Sequence, residues 1–149
     1  MGYFLEELFS SVPLFTNLSK SSKQYLYGLT GYDLPWFDQD QLIIEEGSAS
    51  TSFFILVKGA AKVVRKESPD ETIAILQPGD IFGEMSYLTG KRRSANVVAC
   101  EPQVLVMCIS KQLMQNMPPE IRDVINGKLI ELMVLRVNRI KEGILDPEH

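Results

Sequence analysis

Phe82-Gly-Glu-Met-Ser-Tyr-Leu-Thr-Gly-Lys-Arg-Arg-Ser-Ala-Asn-Val97 is the stretch on which the reading of this chain turns. It follows the turn-forming run Gln77-Pro78-Gly79-Asp80, so it begins where a strand has just ended. Gly83 lets the backbone approach another group closely. Glu84 to Leu88 can make one helical turn, whose first amides point outward and favour an anion. Arg93 comes about ten residues later, at the entry to the next strand, with Ser94 beside it. A guanidinium fork grips two oxygens of an anion at once, and a hydroxyl with free amides completes such a cradle. A carboxylate next to an anion is unfavourable unless it has another task, and Glu84 accepting from a sugar hydroxyl supplies one. The competing reading of Glu84 and Arg93 is a partly buried ion pair in an otherwise empty fold. Lys91 and Arg92 read as a solvated loop.

Around this stretch, residues 32–110 carry short apolar runs separated by turn residues. Strands are expected at Leu42–Glu45, Phe53–Val57, Ala60–Arg65, Thr72–Leu76, Ala95–Ala99 and Val104–Ile109. Many short strands at close spacing imply an all-β barrel or a double-sheet jelly roll. Residues 1–31 read as short helices: Tyr3 to Phe9 has helical apolar spacing, Val12-Pro13 breaks it, and Asn17 or Ser19 caps a second helix from about Lys20 to Leu29.

Residues 111–149 return to a helical pattern, with a short helix to about Asn116 and a longer one starting at Pro119. Two apolar stripes run along the longer helix. Ile121, Ile125, Leu129 and Leu132 form one; Ile130, Met133, Val137, Ile140 and Ile144 form the other. Three- and four-residue spacing leaves two roles open for the second stripe: the edge of the packed face, or a homodimer contact with a partner helix.

The inventory excludes several functions. The 149 residues suit one domain, which buries roughly two thirds of its extended-chain surface. The longest apolar run, Val104 to Ile109, is far short of the roughly 20 residues of a membrane span. Glu6 and Glu7 interrupt the apolar start that a secretion signal needs, so the expected setting is soluble and cytoplasmic. The single histidine is His149, which leaves His-based metal sites and His-activated nucleophiles without a base and argues against an enzyme. A net charge of −4 argues against a nucleic-acid partner. Cys100 and Cys108, outside any C-x-x-C spacing, read as two buried thiols, with a cross-strand disulfide as the lesser alternative.

The stretch from Phe82 to Val97 resembles the phosphate-binding cassette of the cyclic nucleotide-binding domain family, which includes kinase regulatory subunits, catabolite activators and nucleotide-gated channels. The cassette runs Phe-Gly-Glu, an apolar and a small residue, a variable stretch, then Arg, small, Ala, any residue and Val. Phe82, Gly83, Glu84, Met85, Ser86, Arg93, Ser94, Ala95, Asn96 and Val97 meet it. Glu46-Gly47, Phe53 to Gly59, Leu76 to Asp80 and the helical Val12-Pro13-Leu14-Phe15 with Leu18-Ser19 extend the similarity over nearly the whole chain. The family departs from this sequence at Arg92, where many members have proline, at Asp40, a usual glycine, and at Ser50-Thr51, a usual Gly-Asp pair.

The resemblance implies a mainly β fold: a double-stranded β-helix, or jelly-roll, barrel with N-terminal helices and C-terminal lid helices. It implies that Arg93 pairs with a cyclic phosphate, helped by Ser94 and the Ala95 amide. Glu84 and the Gly83 backbone would hold the ribose 2′-hydroxyl, with Met85, Ser86 and Phe82 at that end and Val63 against the purine. Cyclic AMP is the first expected ligand and cyclic GMP the second, with no further cofactor. The barrel itself is expected to signal through its last helix to a protein effector, either as a stand-alone sensor or as a domain of a longer chain. Two other classes stay open: a degenerate barrel acting as a protein-interaction module, and a phosphodiesterase acting on the same ligand.

Overall fold

The computed structural model describes residues 2–141. Helix α1 (Gly2–Ser11), a 3-10 turn (Pro13–Phe15) and α2 (Lys20–Tyr27) lead into eight strands. These are β1 (Trp36–Asp38), β2 (Leu42–Ile44), β3 (Phe53–Lys58), β4 (Ala61–Val64), β5 (Ala74–Leu76), β6 (Ile81–Phe82), β7 (Asn96–Ala99) and β8 (Gln103–Ile109). Helix α3 (Glu84–Thr89) interrupts them between β6 and β7, and α4 (Lys111–Gln115) and α5 (Pro119–Lys141) follow. The strands form two antiparallel four-stranded sheets, ordered β1-β8-β3-β6 and β2-β7-β4-β5. The expected jelly-roll architecture with flanking helices is the one observed.

Strand β3 explains why its sequence reads as an unbroken apolar run. Alternate side chains of a strand point to opposite faces. Phe53 and Ile55 enter a core shared with the helices, while Phe54 and Leu56 enter the core between the two sheets. Strand β8 does the same, with Met107 and Ile109 on the helical side and Val104 and Val106 between the sheets. Both strands are covered twice, so neither shows a polar face. Sheet β2-β7-β4-β5 adds Ile44, Ala61, Val63, Leu76, Val97 and Ala99 to the inter-sheet core.

Two strands escape the sequence reading. β1 has three residues, and Trp36 at its start is 55% exposed, while β6 has only two. Neither is long enough to show alternation; register against β8 and β3 defines them. Strand β5 starts at Ala74 rather than Thr72, and α2 ends at Tyr27, capped by Gly28, rather than at Leu29. Ser19 is the cap of α2, its side chain accepting from the Ser22 amide. Cys100 and Cys108 are free thiols, each only partly buried, which corrects the expectation of two buried ones.

Asp40, at the usual glycine position, has φ +71°, the one positive φ outside glycine among the described residues. Its amide donates to the Ala99 carbonyl at 2.8 Å and closes the turn before β2. Aspartate tolerates this left-handed region where a β-branched residue does not. Asp40→Val is therefore expected to cost about 1–2 kcal/mol of stability. Urea melts of the wild type and Asp40→Val check this, and coincident midpoints would contradict the turn geometry.

Helix α5 lies on the helical core through Ile121, Ile125 and Leu129, with Leu132 partly buried against the same core. Of the second stripe, Ile130 is exposed and Met133 partly buried. The side chains of Val137 and Ile140, and all of Ile144, lie outside the described residues, as does the rest of the predicted helical region beyond residue 141. Among the described residues no helix is long and apolar enough to cross a membrane.

Candidate functional site

The site is built on a tight connection between β5 and β6. The Gln77 amide donates to Asp80 Oδ2 at 2.7 Å, and the Asp80 amide returns to the Gln77 carbonyl at 3.0 Å. Gly79 and Leu56 tie that turn to β3 through the bonds from the Gly79 amide to Leu56 O and from the Leu56 amide to Asp80 O. The chain then runs through β6 to Gly83, whose φ of +77° and ψ of 6° swing it into α3. A Cβ on Gly83 would stand 2.9 Å from Arg93 Nη1 and 3.0 Å from the Phe54 ring. Only glycine fits this position, for backbone and for space.

From α3 the loop returns over the β2–β3 connection, and the two are laced together. The Gly47 amide donates to Arg93 O at 2.7 Å, the Arg93 amide to Ser48 O at 2.9 Å, and Arg92 Nη1 to Gly47 O at 3.0 Å. Arg92 is thus a loop staple on the surface. This backbone lacing sends the Arg93 side chain inward. Its Nη1 donates to Gly83 O at 2.8 Å, and its Nη2 to Ser52 O at 2.6 Å and Ser50 Oγ at 3.1 Å. The guanidinium carbon lies 5.5 Å from the centre of the Phe54 ring, which stacks on Phe82.

Arg93 is only 5% exposed, and burial pulls its pKa below the usual arginine range. Its Nε has no hydrogen-bond partner. The described ion pairs of the chain are Lys128–Glu131 and Arg136–Glu84, so neutral oxygens alone surround this cation at contact distance. The Glu84 charge opposes that shift from beyond contact distance, but a buried charge with no ion-pair partner in contact is costly. Such a group is suited to receive an anion, which would offset that cost and satisfy the idle donor.

Beside it lies a cavity of about 30 Å³ lined by Ile44, Val63, Phe82, Gly83, Met85, Ser86, Arg93, Ser94, Ala95 and Val97. Eight of the nine residues expected from the sequence line it: Val63, Phe82, Gly83, Met85, Ser86, Arg93, Ser94 and Ala95. In this conformation the space matches about one water molecule. A larger open groove of about 520 Å³ runs under α5 past Leu14, Ile75 and Leu132, away from Arg93. Its volume is the greater and its lining includes Asp80, Lys128, Glu131 and Arg136, but it holds none of the cassette residues from Phe82 to Val97.

Glu84, the ninth residue, is not among those lining the cavity. It is wholly buried, and its Oε1 pairs with Nη1 of Arg136, which reaches in from α5. Arg136 Nη2 donates to Ile81 O at 2.9 Å, and Glu84 Oε2 has no partner. Burial pushes the Glu84 carboxyl up from its ordinary pKa, and the Arg136 charge pulls it back down. The direct Glu84–Arg93 ion pair allowed by the sequence reading is not formed. Arg136 is the partner of Glu84 that the sequence reading missed. The available signal was an arginine inside the apolar run Met133-Val134-Leu135-Arg136-Val137, a place where a cation needs a specific partner.

The fold and this cleft define a class: a two-sheet jelly roll presenting a buried arginine beside a glycine-shaped cavity, with a long helix locked to the same segment. The chain belongs to the cyclic nucleotide-binding domain family, whose family model, "Cyclic nucleotide-binding domain", matches residues 35–118. It is 32% identical over 105 residues to the Drosophila melanogaster cGMP-dependent protein kinase, isozyme 1, covering 68% of this chain and 13% of that one. It is 36% identical over 83 residues to the Homo sapiens cGMP-dependent protein kinase 2, covering 54% of this chain and 11% of that protein. The chain therefore spans only a small part of the curated relatives it matches. Among solved structures, PKAR CBD2 bound to Sp-2Cl-cAMPS superposes with a TM-score of 0.77 at 21% identity, covering 97% of this chain and 92% of that one. That likeness carries the fold.

Proposed function

We propose that the chain binds a cyclic purine mononucleotide, cyclic AMP before cyclic GMP, as a cytoplasmic regulatory sensor that passes occupancy through α5 to a protein effector. The observation that carries this reading is Arg93, a buried cation among neutral oxygens with its Nε idle at the edge of the cavity. The cyclic phosphate takes Nε and one Nη of Arg93, with Ser94 and the Ala95 amide completing the cradle. Gly83 and Glu84 receive the ribose, beside Met85, Ser86 and Phe82, and Val63 meets the purine. A cavity of about 30 Å³ is far below the roughly 300 Å³ or more of ordinary small-molecule sites. Entry therefore requires the cassette to open, with the phosphate replacing Ser52 O or Gly83 O on Arg93. No covalent step is needed, and the chain acts as a single binding unit rather than an enzyme. The second stripe of α5, starting at the exposed Ile130, is where a second copy would pack in a homodimer.

A second reading draws support from the same small cavity: a barrel that no longer binds nucleotide and serves as a protein-interaction module. Calorimetric titration with cyclic AMP, cyclic GMP and 5′-AMP separates the two. The expected result is a Kd of about 1 μM or tighter for a cyclic ligand and far weaker binding of 5′-AMP. No heat from either cyclic ligand, with the protein shown to be folded, would favour the module. Recovery of AMP after incubation with cyclic AMP would instead indicate hydrolysis.

A further inference from the structure

We infer that Ser50 is a phosphorylation site whose phosphate takes the Arg93 seat and excludes the cyclic nucleotide from it. This rests on the proposed role of Arg93 as the anchor of a cyclic phosphate. Ser50 is exposed, within residues 48–52, a run that is neither helix nor strand. Its Oγ accepts from Arg93 Nη2 at 3.1 Å. One hydroxyl thus joins solvent to a guanidinium that is 5% exposed and has an idle Nε. The neighbouring serines are placed differently. Ser48 Oγ donates to the Glu45 carbonyl at 2.7 Å, and Ser52 meets Arg93 through its backbone carbonyl. The acidic residues before the loop leave the seat free: Glu46 Oε1 accepts from the Lys66 amide, and neither Glu45 nor Glu46 is in the described ion pairs.

The modification takes its phosphoryl group from a nucleoside triphosphate held by a protein kinase. The bond from the γ-phosphorus to its bridging oxygen breaks and the bond to Ser50 Oγ forms. The hydroxyl proton passes to a base of the kinase, and the nucleoside diphosphate departs. The product carries a charge of about −1.5 to −2 at neutral pH and three strong acceptor oxygens. Those oxygens are attached to an atom already at hydrogen-bond distance from Nη2, so they reach the guanidinium without a change of fold. The bonds from the Gly47 amide to Arg93 O and from the Arg93 amide to Ser48 O keep the loop in place, and the attached phosphate stays at high effective concentration. The buried cation then has the contact counter-charge it lacks. A cyclic phosphate must displace a tethered dianion rather than neutral oxygens, and two phosphates on one desolvated guanidinium repel each other.

The test compares the wild type with Ser50→phosphoserine and, as a control in the same loop, Ser48→phosphoserine, both installed during translation. In calorimetry, Ser50→phosphoserine is expected to bind cyclic AMP roughly tenfold to a hundredfold more weakly, and Ser48→phosphoserine less than about threefold more weakly. Phosphorus NMR reads the seat with no nucleotide present. Beside Arg93, the second ionisation of the phosphate on Ser50 is expected to fall from about 6 to about 5 or below, and to return to about 6 with Arg93→Gln. Unchanged affinity in Ser50→phosphoserine, or equal weakening at both positions, overturns the inference while leaving nucleotide binding intact. An ionisation that Arg93→Gln does not move overturns it as well. Failure of the wild type to bind either cyclic nucleotide removes the functional reading beneath it, and the phosphorus titration alone then decides whether the phosphate sits on Arg93. Should Arg93→Gln fail to fold, the two positions are compared: a lower ionisation at 50 than at 48 supports the site, and equal values contradict it.

Discussion

Arg93→Ala is expected to lose cyclic nucleotide binding by about 2–5 kcal/mol, a weakening of roughly thirtyfold to several thousandfold. The size follows from where the charge sits. Arg93 is nearly fully buried, so its bonds to an anion form in a medium of low polarisability and replace contacts to neutral oxygens only. Folding stability is expected to change much less. The substitution removes the bonds to Gly83 O, Ser50 Oγ and Ser52 O, but also a desolvated cation that lacks a carboxylate partner. Arg93→Lys should fall between the two, because an ammonium cannot hold two phosphate oxygens in one plane. Arg92→Ala is the control: Arg92 is exposed and bonds only the Gly47 carbonyl, so affinity is expected to change little. Calorimetry on the four proteins checks the series, and wild-type affinity in Arg93→Ala would remove the arginine from the site.

The second large effect is expected at Gly83. Alanine there must adopt φ near +77°, and its Cβ meets Arg93 Nη1 at 2.9 Å and Phe54 at 3.0 Å. Backbone strain of about 1–2 kcal/mol and overpacking of about 1–3 kcal/mol together predict a loss of roughly 2–5 kcal/mol. For a domain of this size that lowers the melting temperature by roughly 5–15 °C. Gly79→Ala isolates the first contribution. Its φ is +94° but no atom lies within 4 Å of a Cβ, so only the backbone strain applies. Gly83→Ala should therefore melt below Gly79→Ala and bind nucleotide more weakly, because the clash displaces the arginine. Equal melting of the two variants would mean that Arg93 is not packed against Gly83.

The parts of this molecule that were readable from sequence are those whose cause is local. β3 and β8 announce themselves as apolar runs because helices cover the face that water would otherwise wet. The turn at Gln77-Pro78-Gly79-Asp80 and the bend at Gly83 need particular residue types, and those types are present. The left-handed Asp40 was legible for the same reason, since few residues other than glycine accept that geometry. What escaped depends on contacts between distant segments. β6 exists because Phe82 and Ile81 pair with Phe54 and Ile55, and its two residues carry no pattern of their own. Ser50 and Ser52 meet Arg93 only because the β2–β3 connection is laced to the cassette. The replacement of the family's Gly-Asp pair by Ser50-Thr51 flagged that loop, but its consequence, an arginine held by neutral oxygens, required the fold. Arg136 reaches Glu84 directly from α5, 52 residues further along the chain, and sequence spacing says nothing of it.

In the proposed site, Arg93 and Glu84 are held by different parts of the fold. Arg93 is tied to the β2–β3 connection and lines the cavity, whereas Glu84 is tied to α5 and lies outside that lining. A ligand spanning both would join the loop on one side of the barrel to the long helix on the other. In the proposed sensor, binding would shift the position of α5 only as far as the open and closed arrangements differ in affinity.

The most direct test of the central claim is the side-chain Nε–H resonance of Arg93 in isotope-labelled protein, assigned with Arg93→Lys and followed while cyclic AMP and then cyclic GMP are added. A large, saturable change is expected at that one donor, because its idle Nε gains a charged oxygen, with the Arg92 and Arg136 signals moving far less than it. Saturating cyclic nucleotide that leaves the Arg93 Nε–H where it was would contradict the claim that this arginine is the anion's seat.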